Sequence, residues 1–248
     1  MRVIFMGTPD FAVASLEALL REHEVLAVIT QPDKPKGRGK KLAFSPVKEY
    51  ALAHGLAVLQ PERVKAPEFV EELRKYNAEL IAVTAFGQIL PAEILNMPEY
   101  GCINVHGSLL PKYRGAAPMQ RAIIDGETVT GITTMFMAKG MDTGDMLLKT
   151  EVEIAPEDNF ETLHDKMAAA GASLLLETIA GLESGMIQRI PQKEEDATYA
   201  PMIDKETGHI SWEKGGQEII NLMRGLTPGP GAYTLYEGEP LKLFRAEA

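Results

Sequence analysis

The sequence predicts an α/β protein built on a Rossmann-like, mostly parallel sheet with helices on both faces. Three observations support this prediction. Short apolar runs alternate with amphipathic stretches over residues 1–150, as successive βαβ units do. The runs Leu80–Thr84 and 102–105 are mainly apolar, as in strands that are covered on both faces. A chain of 248 residues with 45% hydrophobic residues can also bury a sizeable core.

The elements follow in chain order. Residues 3–6 predict the first strand, and the helix after it, 11–20, places Leu16, Leu19 and Leu20 on one face. Asp158 and Asn159 are typical residues for the start of a helix, and apolar residues at helical spacing extend that helix to about residue 182. Further strands are predicted at 25–30, 56–59, Leu80–Thr84, 102–105, 131–137 and 146–154, further helices at Pro46–Ala53, 67–75 and 117–124, and a long loop at 32–45.

Residues 186–248 differ in composition from the alternating pattern that precedes them. Residues 186–210 are polar and loop-like, which indicates a connecting segment. We therefore expect a catalytic domain at 1–189, a linker at 190–208 and the start of a second domain at 209–248. This last part contains a predicted helix at 217–224 and predicted strands at Ala232–Tyr236 and 241–244. Two strands rarely form a stable core alone, so a truncated domain is expected.

Composition excludes several classes of protein. The single cysteine, Cys102, excludes an intrachain disulfide and CxxC sites, and its apolar surroundings predict an inert thiol. The formal net charge of −10 is opposite to the overall basic character of nucleic-acid-binding proteins, so a polyanion must meet a local patch. No apolar run is long enough to cross a bilayer, and no signal peptide is apparent. We expect a cytoplasmic monomer without a membrane partner.

Polar residues at one strand end form the candidate active site. Asn104 and His106 are two positions apart at the carboxyl end of a predicted strand, so their side chains share one face. The glycine-rich loop 140–145 brings Asp142 as a possible third group. An asparagine amide can stabilise a developing oxyanion and a histidine can move a proton, so this set suits acyl transfer to an amine. The alternative is a structural histidine and an ordinary turn.

Other readings of these residues are weaker. Ser108, His106 and Asp142 have the residue types of a hydrolase triad, but no nucleophile-elbow pattern surrounds the serine. A metal site of His106, Asp142 and Asp145 lacks a known ligand spacing, so no metal is predicted. The turn at 7–10 lacks the glycine pattern of dinucleotide-binding proteins, so NAD is not predicted either.

Several motifs resemble one family. The string NVHGSLLP at 104–111, with the later Asp142, resembles the active-site signature of the folate-dependent formyltransferases. Four further motifs are similar to the branch of that family that acts on methionyl-tRNA: KYRGAAP at 112–118, GMDTGDM at 140–146, FMGTPDF at 5–11 and GRGKK at 37–41. The resemblance extends over essentially the whole chain.

The resemblance implies transfer of a formyl group from 10-formyltetrahydrofolate to the α-amine of initiator methionyl-tRNA, without an acyl-enzyme. It implies that Asn104 binds the formyl oxygen, that His106 acts in acid–base catalysis, and that Asp142 orients His106 and relays protons. It also implies a C-terminal OB-like barrel that binds tRNA. The residues it implies for the folate site are Ser108, Leu109, Leu110 and Pro111, with Phe86, Gly87, Gln88, Ile89 and Leu90 around the pterin. A small amine, such as a nucleotide-linked amino sugar, is the alternative acceptor.

A basic loop precedes the helix at Pro46–Ala53. Residues 34–48 contain six lysines and arginines and no acidic residue, in a chain that is negative overall. Such loops are usually only solvated surface. The family resemblance instead implies a contact to tRNA phosphates, made by Lys36, Arg38, Lys40 and Lys41.

Overall fold

The computed structural model describes residues 1–36 and 41–246. Its strands are β1 (Arg2–Gly7), β2 (Glu24–Ile29), β3 (Lys34–Lys36), β4 (Lys41–Ala43), β5 (Val58–Leu59), β6 (Leu80–Thr84), β7 (Cys102–His106), β8 (Val129–Phe136), β9 (Met146–Glu153), β10 (Ala232–Tyr236) and β11 (Glu239–Leu243). Its α-helices are α1 (Phe11–Glu22), α2 (Pro46–Ala53), α3 (Pro67–Arg74), α4 (Ala92–Leu95), α5 (Pro118–Ile124), α6 (Phe160–Glu183) and α7 (Gly216–Gly225).

The central sheet has the strand order β5-β2-β1-β6-β7-β8-β9. The pairs from β5 to β7 are parallel, and β7 pairs with β8 in the antiparallel sense. This confirms the predicted α/β fold with a mostly parallel sheet. Strand order reverses between β1 and β6, and ligands of such sheets bind beyond the carboxyl ends of the strands near that point. The residues that follow β6 and β7 are therefore well placed for chemistry.

Two parts of the fold differ from the sequence prediction. The predicted loop at 32–45 contains an antiparallel hairpin, in which Lys34 pairs with Ala43 and Lys36 with Lys41. Its strands are too short and too polar for the apolar alternation that predicts a strand. The short helix α4 was also not predicted, because its four residues give no helical period.

The chain divides into two compact units. The first comprises Met1–His106, Thr133–Leu148 and Ala168–Gln192. One face of its sheet places Ile4, Ile29, Ile81 and Val83 in a buried apolar cluster. Burying a side chain of this size contributes about 1.5–3 kcal/mol. Every residue of β6 is buried, which explains why its sequence is readable as a strand covered on both faces.

The second unit comprises Gly107–Ile132, Lys149–Met167 and Lys193–Ala248. Its apolar cluster contains Ile210, Met223, Leu226 and Ala232, which join α7 to the β10–β11 hairpin. The guanidinium of Arg224 donates to the carbonyl oxygens of Asp158 and Ala155 at 2.7 Å each. In the part of the chain that the structure describes, no helix has the length and apolar character needed to span a membrane.

Candidate active site

Strand β7 carries two polar side chains at its carboxyl end. Asn104 lies opposite Val83 of β6 and Met135 of β8, and His106 lies opposite Thr133 of β8. Because they are two residues apart, Asn104 and His106 project from the same face of the sheet, as predicted. His106 is buried and Asn104 is partly buried.

The loop between β8 and β9 brings Asp142 to His106. The distance from His106 Nδ1 to Asp142 Oδ2 is 3.7 Å, which is within ion-pair range and longer than a hydrogen bond. Contacts between an acid–base pair are often long before substrate binds and shorten in the reactive complex. The structure thus places together the histidine and the aspartate that were predicted from separate motifs.

The backbone of this loop has an unusual conformation. Asp142 has a φ of 53°, in the left-handed region. A Cβ on Gly144 would lie 1.7 Å from the carbonyl oxygen of Phe136, so only glycine fits there. The side chain of Gln192 donates from Nε2 to the carbonyl oxygens of Asp142 and Gly144, at 2.8 Å each. Sequence reasoning missed Gln192, because it lies in a segment interpreted as a linker and 50 residues from its partner.

The residues predicted for the pterin pocket follow β6. The carbonyl oxygen of Phe86 accepts hydrogen bonds from Thr8 Oγ1 and Gln31 Nε2, at 3.1 and 3.2 Å. Phe86 and Leu90 belong to the apolar cluster of the first unit, whereas Gly87 and Ile89 are exposed. The Gln88 amide accepts from the backbone of residue 64 and donates to the carbonyl of residue 61. The two ends of this segment are thus buried, and its middle is exposed or partly buried.

The residues predicted for the rest of the folate site belong to the second unit. Ser108 is fully buried, and its hydroxyl donates to the carbonyl oxygen of Lys112 at 2.6 Å. That bond gives the hydroxyl a structural part in the turn. Leu110 is buried, Leu109 and Pro111 are partly buried, and the peptide bond between Leu110 and Pro111 is cis.

The basic loop is only partly described. Arg38 and Lys40 lie outside the described residues, and Lys36 and Lys41 form the last backbone pair of the β3–β4 hairpin. Lys48 is different: its ammonium donates to the Asp33 carboxylate at 2.6 Å. Hydrogen bonds from Lys48 and Gln60 lower the pKa of Asp33. Lys48 is therefore neutralised by a local partner and does not add its charge to the loop.

Cys102 begins β7 and is the only cysteine of the chain. Burial raises the pKa of its thiol to about 12. Burial of Cys102 confirms that part of the prediction, and the raised pKa agrees with an inert thiol, because the reactive form of cysteine is the thiolate. Within residues 1–36 and 41–246, no cluster of three or more His, Cys, Asp or Glu side chains is arranged to hold a metal ion.

The arrangement provides the groups for acyl transfer to an amine. The Asn104 amide can donate to a carbonyl oxygen as it becomes an oxyanion. The His106 imidazole can accept a proton from the attacking nitrogen, and Asp142 can stabilise the imidazolium that results. A free amine is already nucleophilic, so the site needs no side chain that forms a covalent intermediate.

Comparisons with known proteins agree with this chemistry. Residues 1–179 match the formyl transferase family and residues 202–248 match the formyl transferase C-terminal domain. The methionyl-tRNA formyltransferase of Caldanaerobacter subterraneus is 60% identical, over 100% of this chain and 81% of that protein. The methionyl-tRNA formyltransferase of Acetivibrio thermocellus is 57% identical, over 98% of this chain and 79% of that protein.

A solved structure shows the same fold. It is an N-formyltransferase from Helicobacter canadensis in complex with folinic acid and dTDP-3-aminofucose, with a TM-score of 0.72 and 22% sequence identity. The similarity covers 98% of this chain and 86% of that chain. The expected α/β fold and the expected family thus agree with these matches, and the chain belongs to the formyl transferase family.

Proposed function

We propose that this protein transfers the formyl group of 10-formyltetrahydrofolate to the α-amino group of methionine esterified to initiator tRNA. The observation that carries the proposal is the placement of Asn104 and His106 on one face of β7, with Asp142 at 3.7 Å from His106. Relatives that are 57–60% identical and carry the name methionyl-tRNA formyltransferase support the choice of acceptor.

In the proposed reaction the α-amine attacks the formyl carbon directly. Its lone pair forms the new C–N bond, and the carbonyl oxygen becomes an oxyanion that accepts a hydrogen bond from the Asn104 amide. His106 takes the proton that the attacking nitrogen loses, with Asp142 beside it. The oxyanion then re-forms the carbonyl as the bond from the formyl carbon to the folate nitrogen breaks, and that nitrogen receives the proton that His106 took. An α-amine titrates at about pH 7.7–8.0, so a useful fraction is unprotonated near neutrality.

The remaining site residues belong to the same proposal. Ser108, Leu109, Leu110 and Pro111 would line the folate site, with the Phe86 to Leu90 segment around the pterin. In that segment Gly87 and Ile89 are exposed and available to a ligand. Phe86 and Leu90 pack in the buried apolar cluster, so they would support the pocket without contacting the ligand.

Recognition of tRNA would involve two parts of the chain. Lys36, Arg38, Lys40 and Lys41 would contact phosphates, and residues 209–248 would belong to an OB-like barrel after a linker at 190–208. Pairing of Lys48 with Asp33 agrees with this assignment, because the charge of the loop then comes from Lys34 and from the four cations of residues 36–41. The match of residues 202–248 to the C-terminal domain of the family agrees with a second domain there.

A nucleotide-linked amino sugar is the second candidate acceptor. The Helicobacter canadensis N-formyltransferase, which shares the fold, was solved with such a sugar nucleotide. At 22% identity that likeness concerns the fold, whereas the much higher identity to the tRNA-directed enzymes favours methionyl-tRNA.

A direct assay distinguishes these acceptors. The protein is supplied with 10-formyltetrahydrofolate and, in separate reactions, with initiator methionyl-tRNA, free methionine or a dTDP-linked amino sugar. We expect a formylated product from methionyl-tRNA alone. A faster reaction with the sugar nucleotide, or no reaction with methionyl-tRNA, would contradict the proposal.

Substitutions test the assigned residues. Because acid–base and oxyanion groups each contribute about a hundredfold or more, His106→Ala and Asn104→Ala should lower kcat by at least about that factor. His54→Ala is the control, because His54 is an exposed histidine on the surface of the first unit. Near-normal rates in either active-site variant, with the control also normal, would refute the assignment.

The basic loop has its own test. Replacing Arg38, Lys40 and Lys41 by alanine should raise KM for methionyl-tRNA and flatten its salt dependence, because fewer counterions are released on binding. KM for the folate donor should not change. A matched triple variant removes three exposed cations elsewhere, namely Arg63, Lys65 and Lys75. An equal effect of both triple variants would indicate a general effect of net charge rather than a contact made by the loop.

A further inference from the structure

The carboxamide of Gln192 contacts the loop that carries Asp142 at two points. Its Nε2 donates to the carbonyl oxygen of Asp142 and to that of Gly144, at 2.8 Å in both cases. The two carbonyls flank Thr143, so one primary amide, with its two N–H groups, bridges both sides of that residue. Such a bridge holds the backbone at both sides of Thr143 in one conformation.

Gln192 is itself anchored to the sheet. Two residues earlier, Ile190 forms an antiparallel bridge with Met146 at the start of β9, with reciprocal backbone hydrogen bonds of 2.9 Å. The position of the Gln192 side chain is therefore set by the strand that immediately follows the Asp142 loop. This gives the loop a rigid external support rather than a contact with another loop.

The loop requires such support. A φ of 53° at Asp142 is a conformation that residues with a Cβ adopt at a cost of about 1–2 kcal/mol. Gly144 passes so close to the carbonyl oxygen of Phe136 that a Cβ would approach it to 1.7 Å. The Asp142 carboxylate lies 3.7 Å from His106, so any change in this backbone changes the distance between the two groups.

We propose that Gln192 is a positioning residue for the reaction, which acts by fixing the backbone of Asp142 and Gly144 so that the Asp142 carboxylate faces His106. This inference rests on the proposed function. Gln192 need not touch either substrate. Its contribution depends on the two N–H groups of the amide, because the two acceptors are carbonyl oxygens that require donors.

Two substitutions test the role of the donors. Gln192→Ala removes both hydrogen bonds, and Gln192→Glu keeps the size but directs carboxylate oxygens at two carbonyls. Because misplacement of a reacting group by about 1 Å can lower a rate about a hundredfold, we expect both to lower kcat ten- to a hundredfold. KM for the folate donor should stay within about twofold, because the change affects the transition state more than donor binding.

A double-mutant cycle distinguishes positioning from a general structural effect. If Gln192 acts through Asp142, then Asp142→Ala with Gln192→Ala should have the same kcat as Asp142→Ala alone, within about twofold. Losses that multiply would overturn the proposal. Gln60→Ala is the matched control, because Gln60 Nε2 also donates to two acceptors, at 2.9 and 2.8 Å, away from this loop. Gln60→Ala should lower kcat only slightly, and that decrease should multiply with the decrease caused by Asp142→Ala.

Hydrogen exchange tests the same inference without activity. Amides of residues 140–145 should exchange faster in Gln192→Ala than in the unsubstituted protein, and should be unchanged in Gln60→Ala. Unchanged exchange in Gln192→Ala overturns the inference whatever the kinetics show. If the unsubstituted protein does not formylate methionyl-tRNA while exchange changes as expected, the proposed function fails and the support of the loop by Gln192 stands.

Discussion

Thr84 ends β6 with a hydroxyl that has no hydrogen-bond partner among the residues that the structure describes. The residue is fully buried, so water does not compensate for the missing bond at the surface. Thr84→Val replaces this hydroxyl by a methyl group of nearly the same shape. We predict that the variant is more stable than the natural sequence.

The size of the effect follows from the burial of the hydroxyl. Leaving a buried polar group unsatisfied costs about 1–3 kcal/mol, and an apolar group of the same shape removes that cost. We expect the free energy of unfolding to rise by about 1–2 kcal/mol, in the lower part of that range because the surroundings relax. With about 2 cal/mol/K per residue for the unfolding entropy, a chain of 248 residues should gain about 2–4 °C in Tm.

Thr134→Val is the matched control, with the opposite expected sign. Thr134 is also fully buried, but its hydroxyl bonds to Thr178 Oγ1 at 2.7 Å and accepts from the backbone N–H of Leu148 at 3.2 Å. The same substitution there removes the bond to Thr178 and the acceptor of the buried Leu148 N–H, although Thr178 keeps its bond to the carbonyl oxygen of Leu174. It should therefore destabilise by about 1–3 kcal/mol. Urea unfolding followed by circular dichroism measures both variants. Destabilisation by Thr84→Val would show that the hydroxyl has a bound partner and refute the reasoning.

Two further predictions concern stability and the active-site loop. Burial alone would raise the pKa of Asp158, but hydrogen bonds, led by one from Lys166, lower it overall. The ionised carboxylate therefore stabilises the folded protein above about pH 4, and this stabilisation is lost as the pH falls below that value. Asp158→Asn should therefore destabilise by about 1 kcal/mol at pH 7, a modest value because Lys166 is half exposed, and the difference should vanish in acid-titrated unfolding curves. Gly144→Ala should lower both kcat and Tm, because the new Cβ would collide with the carbonyl oxygen of Phe136. Gly216→Ala is the control and should change neither, because a Cβ there meets open space. Normal kinetics of Gly144→Ala would contradict the described loop.

Most of the sheet could be predicted because its strands are buried. Strand β6 was predicted over the residues that form it, because a short, mainly apolar run suits a strand that is covered on both faces. The β3–β4 hairpin was not predicted, because its strands have three residues each and consist largely of lysine and proline. Backbone pairing, rather than an apolar pattern, defines those strands, and a sequence does not display backbone pairing directly.

The site was predictable to a similar degree. The shared face of Asn104 and His106 follows from the period of a strand, so it required no structure. The 3.7 Å approach of Asp142 to His106 depends on a loop after a different strand, so the glycine-rich loop made Asp142 only a possible third group, and its role came from the family resemblance. Gln192 gave no signal, because a single polar residue in a polar segment looks like solvated surface. A side chain that donates to backbone carbonyls can pair with any residue type, so the sequence of its partners does not reveal the contact.

The backbone around Asp142 shows why one carboxylate needs several supports. Its left-handed conformation costs about 1–2 kcal/mol, and an isolated loop would relax to avoid it. Two hydrogen bonds from Gln192, at about 1 kcal/mol net each, offset a cost of that size. The close approach of Gly144 to the carbonyl oxygen of Phe136 limits the other conformations that the loop can adopt, because they would bring atoms into collision. Because the two bonds from Gln192 are comparable to that cost, removal of the Gln192 amide should loosen the loop within the limits that Gly144 sets. The Gln192 variants therefore test the support of the site more directly than changes in the buried sheet do.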